Sequence, residues 1–140
     1  MTGSTAGGDC SIGLESTIVD CCVEPVQVLR PGAITREEIL RLVGDVAAAS
    51  GPSRAAGMLQ SHYAPTCSVE LFESTDAADA RSRELAVLGR RTTVFDAAVD
   101  PVDAARHLYE RLRRADQELI DTLVVVLPRA QGIGWAVRDR

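Results

Sequence analysis

The chain has 140 residues, about the length of one domain, with 46% hydrophobic and 25% charged residues, a composition that buries a core. All 15 of its basic residues are arginine and 20 residues are acidic, leaving a net charge of −5 with no lysine or asparagine anywhere. P-loop phosphate binding and Schiff-base catalysis both need a lysine amine and are excluded for this chain, and the acidic balance argues against a broad nucleic-acid surface.

Met1 to Asp9 is small and polar, without the basic flank and apolar stretch of a signal peptide. The first strand is expected over Ser16–Cys21, which is β-branched and alternating, and a second over Val26–Leu29. Arg30-Pro31-Gly32 breaks that strand. A helix is expected from Thr35, which can cap it, with Glu38 completing a capping box and Ile34, Ile39, Leu42 and Val43 forming an apolar face that ends near Gly44. Residues 46–66 are rich in alanine, glycine, serine and proline and read as a linker. Its last part, Met58 to Pro65, holds His62-Tyr63 where a passive linker would be polar.

From Cys67 the pattern becomes β-α-β-α-β, with strands expected at Cys67–Phe72, Thr92–Phe95 and Thr122–Leu127. A helix over Asp76–Leu88 closes at Gly89. A stronger one opens at Asp100-Pro101 and buries Val102, Ala105, Leu108, Tyr109 and Leu112, while Arg106, Arg113 and Arg114 face away or flank that stripe. A last helix starts near Gln131 and runs to Arg140. Alternating strands and helices imply a Rossmann-like parallel α/β/α sheet for residues 67–140. Residues 1–45 hold too few elements to bury a core and read as the end of a preceding domain.

The longest apolar run, Leu123 to Leu127, is too short to span a bilayer, so no membrane association is expected. Cys10, Cys21, Cys22 and Cys67 are irregularly spaced and read as free thiols of a cytoplasmic protein. Cys21, Cys22 and His62 lack the regular spacing of a zinc site.

Four separate segments, in order, carry a resemblance. Gly7 to Asp20, with Val28-Leu29-Arg30-Pro31-Gly32-Ala33-Ile34-Thr35, resembles the end of the YrdC-like catalytic domain of the threonylcarbamoyl-AMP synthase family. Gly57-Met58 and Ser61-His62-Tyr63-Ala64-Pro65 resemble the linker of the family's two-domain form. Leu108 to Asp116 and Gly132 to Arg140 resemble its C-terminal domain. The resemblance implies 1–45 as the incomplete end of the YrdC-like domain, 46–66 as a linker covering the active site, and 67–140 as the C-terminal domain, its last helix cut short. At Ala56 this chain departs from the proline the family usually has before the glycine.

The activity implied is L-threonylcarbamoyladenylate synthesis from L-threonine, bicarbonate and ATP, for threonylcarbamoyladenosine formation on tRNA. Carried over by position, Ser16 contacts the threonine, Arg30 contacts ATP, and Tyr63 closes over the nucleotide; no catalytic base is assigned. A serine hydroxyl both donates and accepts, an arginine recognises phosphate oxygens in a planar fork, and a tyrosine offers a stacking face with a polar tip. Mg2+ is expected with the ATP, held mainly by phosphate oxygens, and no protein metal site is expected. By the resemblance, the family's lysine-bearing ATP contacts and much of its threonine pocket lie before Met1, so an N-terminal segment of the same enzyme is an expected partner.

Taken without the resemblance, the same residues have plainer roles. Ser16 and Thr17 read as strand residues, Arg30 as a turn arginine, His62-Tyr63 as a docking anchor, and His107 as a helix-surface residue. The arginines from Arg111 to Arg114 read as a solvated face rather than a tRNA site. Gly132-Ile133-Gly134, opening a helix, could take an anion at its N-terminus. The rival to a synthase fragment is a non-catalytic regulatory or assembly module of the same enzyme, inactive without its N-terminal half. A free-standing nucleotide-binding α/β protein is a third possibility.

Overall fold

A computed structural model describes residues 12–50 and 64–140. The second half is built around β6 (Thr122–Val126), every residue of which is buried. It lies between β4 (Ser68–Phe72) and β5 (Thr92–Asp96), parallel to both, in the order β4-β6-β5. A strand covered on both faces and both edges reads as a continuous apolar run, and Leu123-Val124-Val125-Val126 does. Val124 and Val126 point to α2 (Thr75–Val87), where they pack with Ala78 and Leu85. Leu123 and Val125 point the other way and meet Ala115 of α3 (Pro101–Gln117).

The helix boundaries follow local chemistry. Asp100 caps α3 by accepting from the Val102 and Asp103 N–H groups, with Pro101 in the first turn. Ser74 caps α2. Gly89, after α2, takes a positive φ of 73° that favours glycine. The buried stripe of α3 is Ala104, Ala105, Leu108 and Ala115, with Leu112 half-buried. The expectation for Val102 is corrected: it sits in the first turn, 51% exposed, and Ala104 faces inward instead. Arg106, Arg113 and Arg114 face solvent as expected.

Ahead of this unit, β1 (Ile18–Asp20) and β2 (Val26–Arg30) pair antiparallel, with Ile18 opposite Arg30. Helix α1 (Arg36–Val43) starts at the expected Thr35–Glu38 capping box and ends at Gly44, whose φ is 84°. Its expected apolar face is corrected: Ile39 is buried, but Ile34 is 57% and Leu42 84% exposed, and Val43 is exposed too. The helix rests on β3 (Val46–Ala48), a three-residue strand, and Ile39 is the buried residue of the helix. That strand lies inside the stretch read as linker. It forms because β2 offers an unpaired edge, to which it adds in parallel with Val26 opposite Val46.

Helix α4 (Ile133–Arg138) is shorter at both ends than expected and is capped at Asp139. It packs on α3, and their shared core of Ala104, Ala105, Leu108, Ala136 and Val137 also takes in Leu14, which is 6% exposed. The segment before β1 is thus docked on the C-terminal helices. Gly13 permits the approach, since a Cβ there would stand 2.0 Å from the Arg106 carbonyl oxygen. No helix among the described residues is long and apolar enough to cross a membrane.

Candidate functional site

Strand pairing of β1 with β2 brings two of the three expected site residues together. Arg30 donates from Nε to the Ser16 carbonyl at 3.0 Å, and Ser16 itself is exposed. The turn after Arg30 packs closely on the same segment: a Cβ on Gly32 would lie 2.4 Å from the Glu15 oxygen and 2.5 Å from the Thr17 nitrogen. Thr17 fastens the turn, its Oγ1 donating to the Ile34 carbonyl at 2.7 Å and accepting from the Ile34 N–H at 3.1 Å. The result is a serine and a guanidinium on neighbouring backbones crossed by a tight Pro-Gly turn. The third expected residue, Tyr63, and its neighbour His62 lie outside the described residues.

Behind this surface sits a cluster that no local pattern announces. Glu15, immediately before Ser16, accepts on Oε2 from Tyr109 Oη at 2.9 Å and from Arg140 Nε at 2.7 Å. Arg140 also donates to the Pro31 carbonyl at 2.9 Å and to Asp139 at 2.7 Å, and its side chain is 8% exposed. Burial by itself raises the Glu15 carboxyl, but the Tyr109 and Arg140 hydrogen bonds and the Arg140 charge overcome it and hold Glu15 below the usual carboxylate range. Burial and the Glu15 hydrogen bond push the Tyr109 phenol up to about 12. Asp139, sharing the same guanidinium, is raised by burial against the pull of Arg140.

A cleft of about 140 Å³ opens nearby between β2, β3 and α1 on one side and α4 on the other; Leu29, Gly32, Arg36, Ala48, Gly132 and Trp135 are among its lining residues. Arg36 lies over the Trp135 ring at 5.8 Å and bonds the Val46 carbonyl. Its Nε is buried without a hydrogen-bond partner among the described residues. The Gly132 N–H at the start of α4 donates to the Glu37 carboxylate at 3.1 Å. The anion at this helix N-terminus is therefore the protein's own, not a ligand. That bond is the main reason the Glu37 carboxyl lies below its ordinary value.

Other expected roles are plain. His107 Nδ1 stands 3.0 Å from Asp103 on the α3 surface, as a helix-surface residue would. Cys21, Cys22 and Cys67 are free thiols. Burial and the nearby Asp116 charge raise the Cys67 thiol, which makes it a poor nucleophile. Among the described residues no cluster of three or more histidine, cysteine, aspartate or glutamate side chains could hold a metal ion.

The profile of a family described as "Threonylcarbamoyl-AMP synthase, C-terminal domain" matches residues 34–140. The threonylcarbamoyl-AMP synthase of Bacillus subtilis is 30% identical over an alignment covering all of this chain and 47% of that protein. The Pyrococcus abyssi protein of the same name is also 30% identical, over 96% of this chain and 46% of its own length. The one from Schizosaccharomyces pombe is 37% identical over 53% of this chain and 21% of its own. Among solved structures, P. abyssi Sua5 complexed with L-threonine superposes with a TM-score of 0.83 at 26% identity, over 95% of this chain and 46% of that one. A P. abyssi Sua5 variant with an adjacent histidine and tyrosine both changed to alanine gives 0.81 at 26% identity, over 96% and 45%. The chain spans about half the length of the curated relatives it matches.

Proposed function

The chain belongs to the threonylcarbamoyl-AMP synthase family, and on that premise we propose that it supplies one part of an L-threonylcarbamoyladenylate synthase acting in the cytoplasm. Residues 1–45 would be the end of the YrdC-like catalytic domain, 46–66 the cover of its active site and 67–140 the Rossmann-like C-terminal domain. The remaining ATP contacts would come from the N-terminal half of such an enzyme, consistent with the half-length span of the match.

In the proposed reaction the threonine amine adds to bicarbonate and loses water, giving a carbamate. A carbamate oxygen then attacks the α-phosphorus of ATP. The bond from that phosphorus to the bridging oxygen breaks, and pyrophosphate leaves as threonylcarbamoyl-AMP forms. Ser16 would hold the threonine through a hydroxyl that can accept from its ammonium or donate to its carboxylate. Arg30 would carry phosphate charge with its guanidinium. Tyr63 would close over the nucleotide and keep water from the carbamate. Mg2+ would arrive with ATP and neutralise phosphate charge.

The observation that supports this reading is the 3.0 Å contact between Arg30 Nε and the Ser16 carbonyl, which makes the two residues neighbours. The L-threonine bound to the P. abyssi neighbour supports the substrate class. The adjacent histidine and tyrosine altered in the other neighbour support a role for His62-Tyr63, the one His-Tyr pair in this sequence. The match to a C-terminal-domain profile favours a second reading, a regulatory or assembly module without chemistry of its own.

The experiment is pyrophosphate release from L-threonine, bicarbonate and MgATP, by the chain alone and with the N-terminal half of the B. subtilis relative added. Release in the complemented sample that Arg30→Ala and Ser16→Ala each lower about 100-fold supports the synthase reading. Release indifferent to both substitutions, or none in either sample, favours the module.

A further inference from the structure

We propose that Glu15, Tyr109 and Arg140 form an interdomain clamp, through which α3 and the residues just after α4 hold Ser16 and Arg30 at their working separation. Arg140 and Tyr109 are then positioning residues of the threonine- and nucleotide-binding surface. The clamp deepens the synthase reading and rests on it for the identity of the ligands, but its geometry stands on separate observations.

The connectivity makes the case. Glu15 is one residue before Ser16, and Pro31 is one residue after Arg30. Arg140 binds the Glu15 carboxylate and the Pro31 carbonyl with one side chain, at 2.7 and 2.9 Å. A guanidinium is planar and donates in fixed directions, so it sets the spacing of whatever it bridges. Here the bridged groups are a side-chain carboxylate and a backbone carbonyl, one on each of the two segments that carry the site. Tyr109, from the middle of α3, holds the same Glu15 oxygen from a second direction at 2.9 Å. A half-buried carboxylate with one charged and one phenolic donor is well located, because losing either donor leaves it underpaired.

The backbone is close-packed around these bonds. Leu14 is inserted among Ala104, Ala105, Leu108 and Val137, Gly13 touches the α3 backbone, and Gly32 touches residues 15–17. The site segment is therefore anchored by burial at 14, clamped at 15 and pressed by the Pro-Gly turn at 32. Nothing else among the described residues joins positions 15 and 31 through one side chain. Arg138, the last residue of α4 and two positions before Arg140, instead bonds Glu73 and Pro128 within the C-terminal unit.

That contrast supplies the control. Amide hydrogen exchange is measured on the full chain for wild type, Arg140→Gln, Tyr109→Phe and Arg138→Gln. Exchange at residues 16–20 and 30–34 is expected to quicken about tenfold or more in Arg140→Gln, less in Tyr109→Phe, and not at all in Arg138→Gln. Unchanged exchange in Arg140→Gln overturns the clamp. So does equal loosening in Arg138→Gln, which would mean a general softening of α4.

Calorimetric titration with L-threonine, of the chain complemented by the N-terminal half of the B. subtilis relative, then separates the clamp from the reading it rests on. Wild type is expected to bind, and Arg140→Gln to bind about tenfold more weakly without a matching loss of thermal stability relative to Arg138→Gln. Equal affinity in the two proteins overturns the positioning role. Absence of binding by wild type, with the exchange effect intact, sinks the synthase reading for this chain but leaves the clamp in place.

Discussion

The Glu37 carboxylate in α1 accepts the Gly132 N–H at the start of α4, at 3.1 Å, across 95 positions of sequence. A carboxylate at a helix N-terminus satisfies an otherwise orphaned donor and meets the positive end of the helix dipole. Glu37 is exposed, so the gain is modest. Glu37→Ala is expected to cost about 0.5 kcal/mol at low salt, and less at high salt. Urea denaturation at two ionic strengths checks this; a loss independent of salt would point to packing instead.

The Glu15 cluster predicts a stability plateau bounded on both sides. The Glu15 carboxyl is lowered in the fold, so its contribution is present above the ordinary carboxylate value and fades as pH falls through the lowered one. Tyr109 titrates at about 12, so its contribution is complete below the ordinary phenol value near 10 and is lost as pH rises from there toward 12. Asp139 shares the Arg140 guanidinium. Equilibrium unfolding across pH should show the alkaline decline lessened in Tyr109→Phe and the acid decline lessened in Glu15→Gln. Identical pH curves for wild type and variants would mean that the cluster does not titrate with folding.

Burial on α1 and β6 predicts opposite outcomes for two leucines. Leu123→Ala, at the centre of the sheet, should cost about 2–5 kcal/mol. Leu42→Ala, on the open face of α1, should stay within about 0.5 kcal/mol. A large loss at Leu42 in the isolated chain would show that its face is covered.

Gly13→Ala should separate the site segment from α3, because the new Cβ meets backbone that cannot turn aside. The expected cost is about 1–3 kcal/mol, with faster exchange at residues 12–17. Gly44→Ala meets no atom within 4 Å but carries a positive φ, so its cost should arise from backbone strain alone and leave those residues unchanged.

The parts of the fold legible in the sequence were those set by neighbours in the chain. The Thr35–Glu38 capping box, the Asp100-Pro101 start of α3 and the apolar run of β6 each appear where local chemistry puts them. What escaped depends on partners far away. β3 is a Val-Ala-Ala segment of low strand propensity that pairs because β2 has a free edge. The apolar residues of α1 read as a core face, yet only Ile39 finds something to pack on.

The candidate site divides in the same way. Ser16 and Arg30 sit in recognisable strings, and strand pairing joins them. Glu15 meets Tyr109 and Arg140 across 94 and 125 positions, a constellation without a sequence period. A carboxylate beside a candidate binding serine, in a chain whose only basic side chains are arginines, was the one available hint.

Two-dimensional NMR of the full chain, complemented by the N-terminal half of the B. subtilis relative and titrated with L-threonine, tests the central claim most directly, because it reports where the ligand lands. Shifts concentrated at Ser16, Thr17 and residues 30–34, and lost in Ser16→Ala, are the expected result. Shifts centred on Trp135 and Gly132 in the α1–α4 cleft, or none at saturating threonine, would contradict the assignment of Ser16 and Arg30 to the substrate surface.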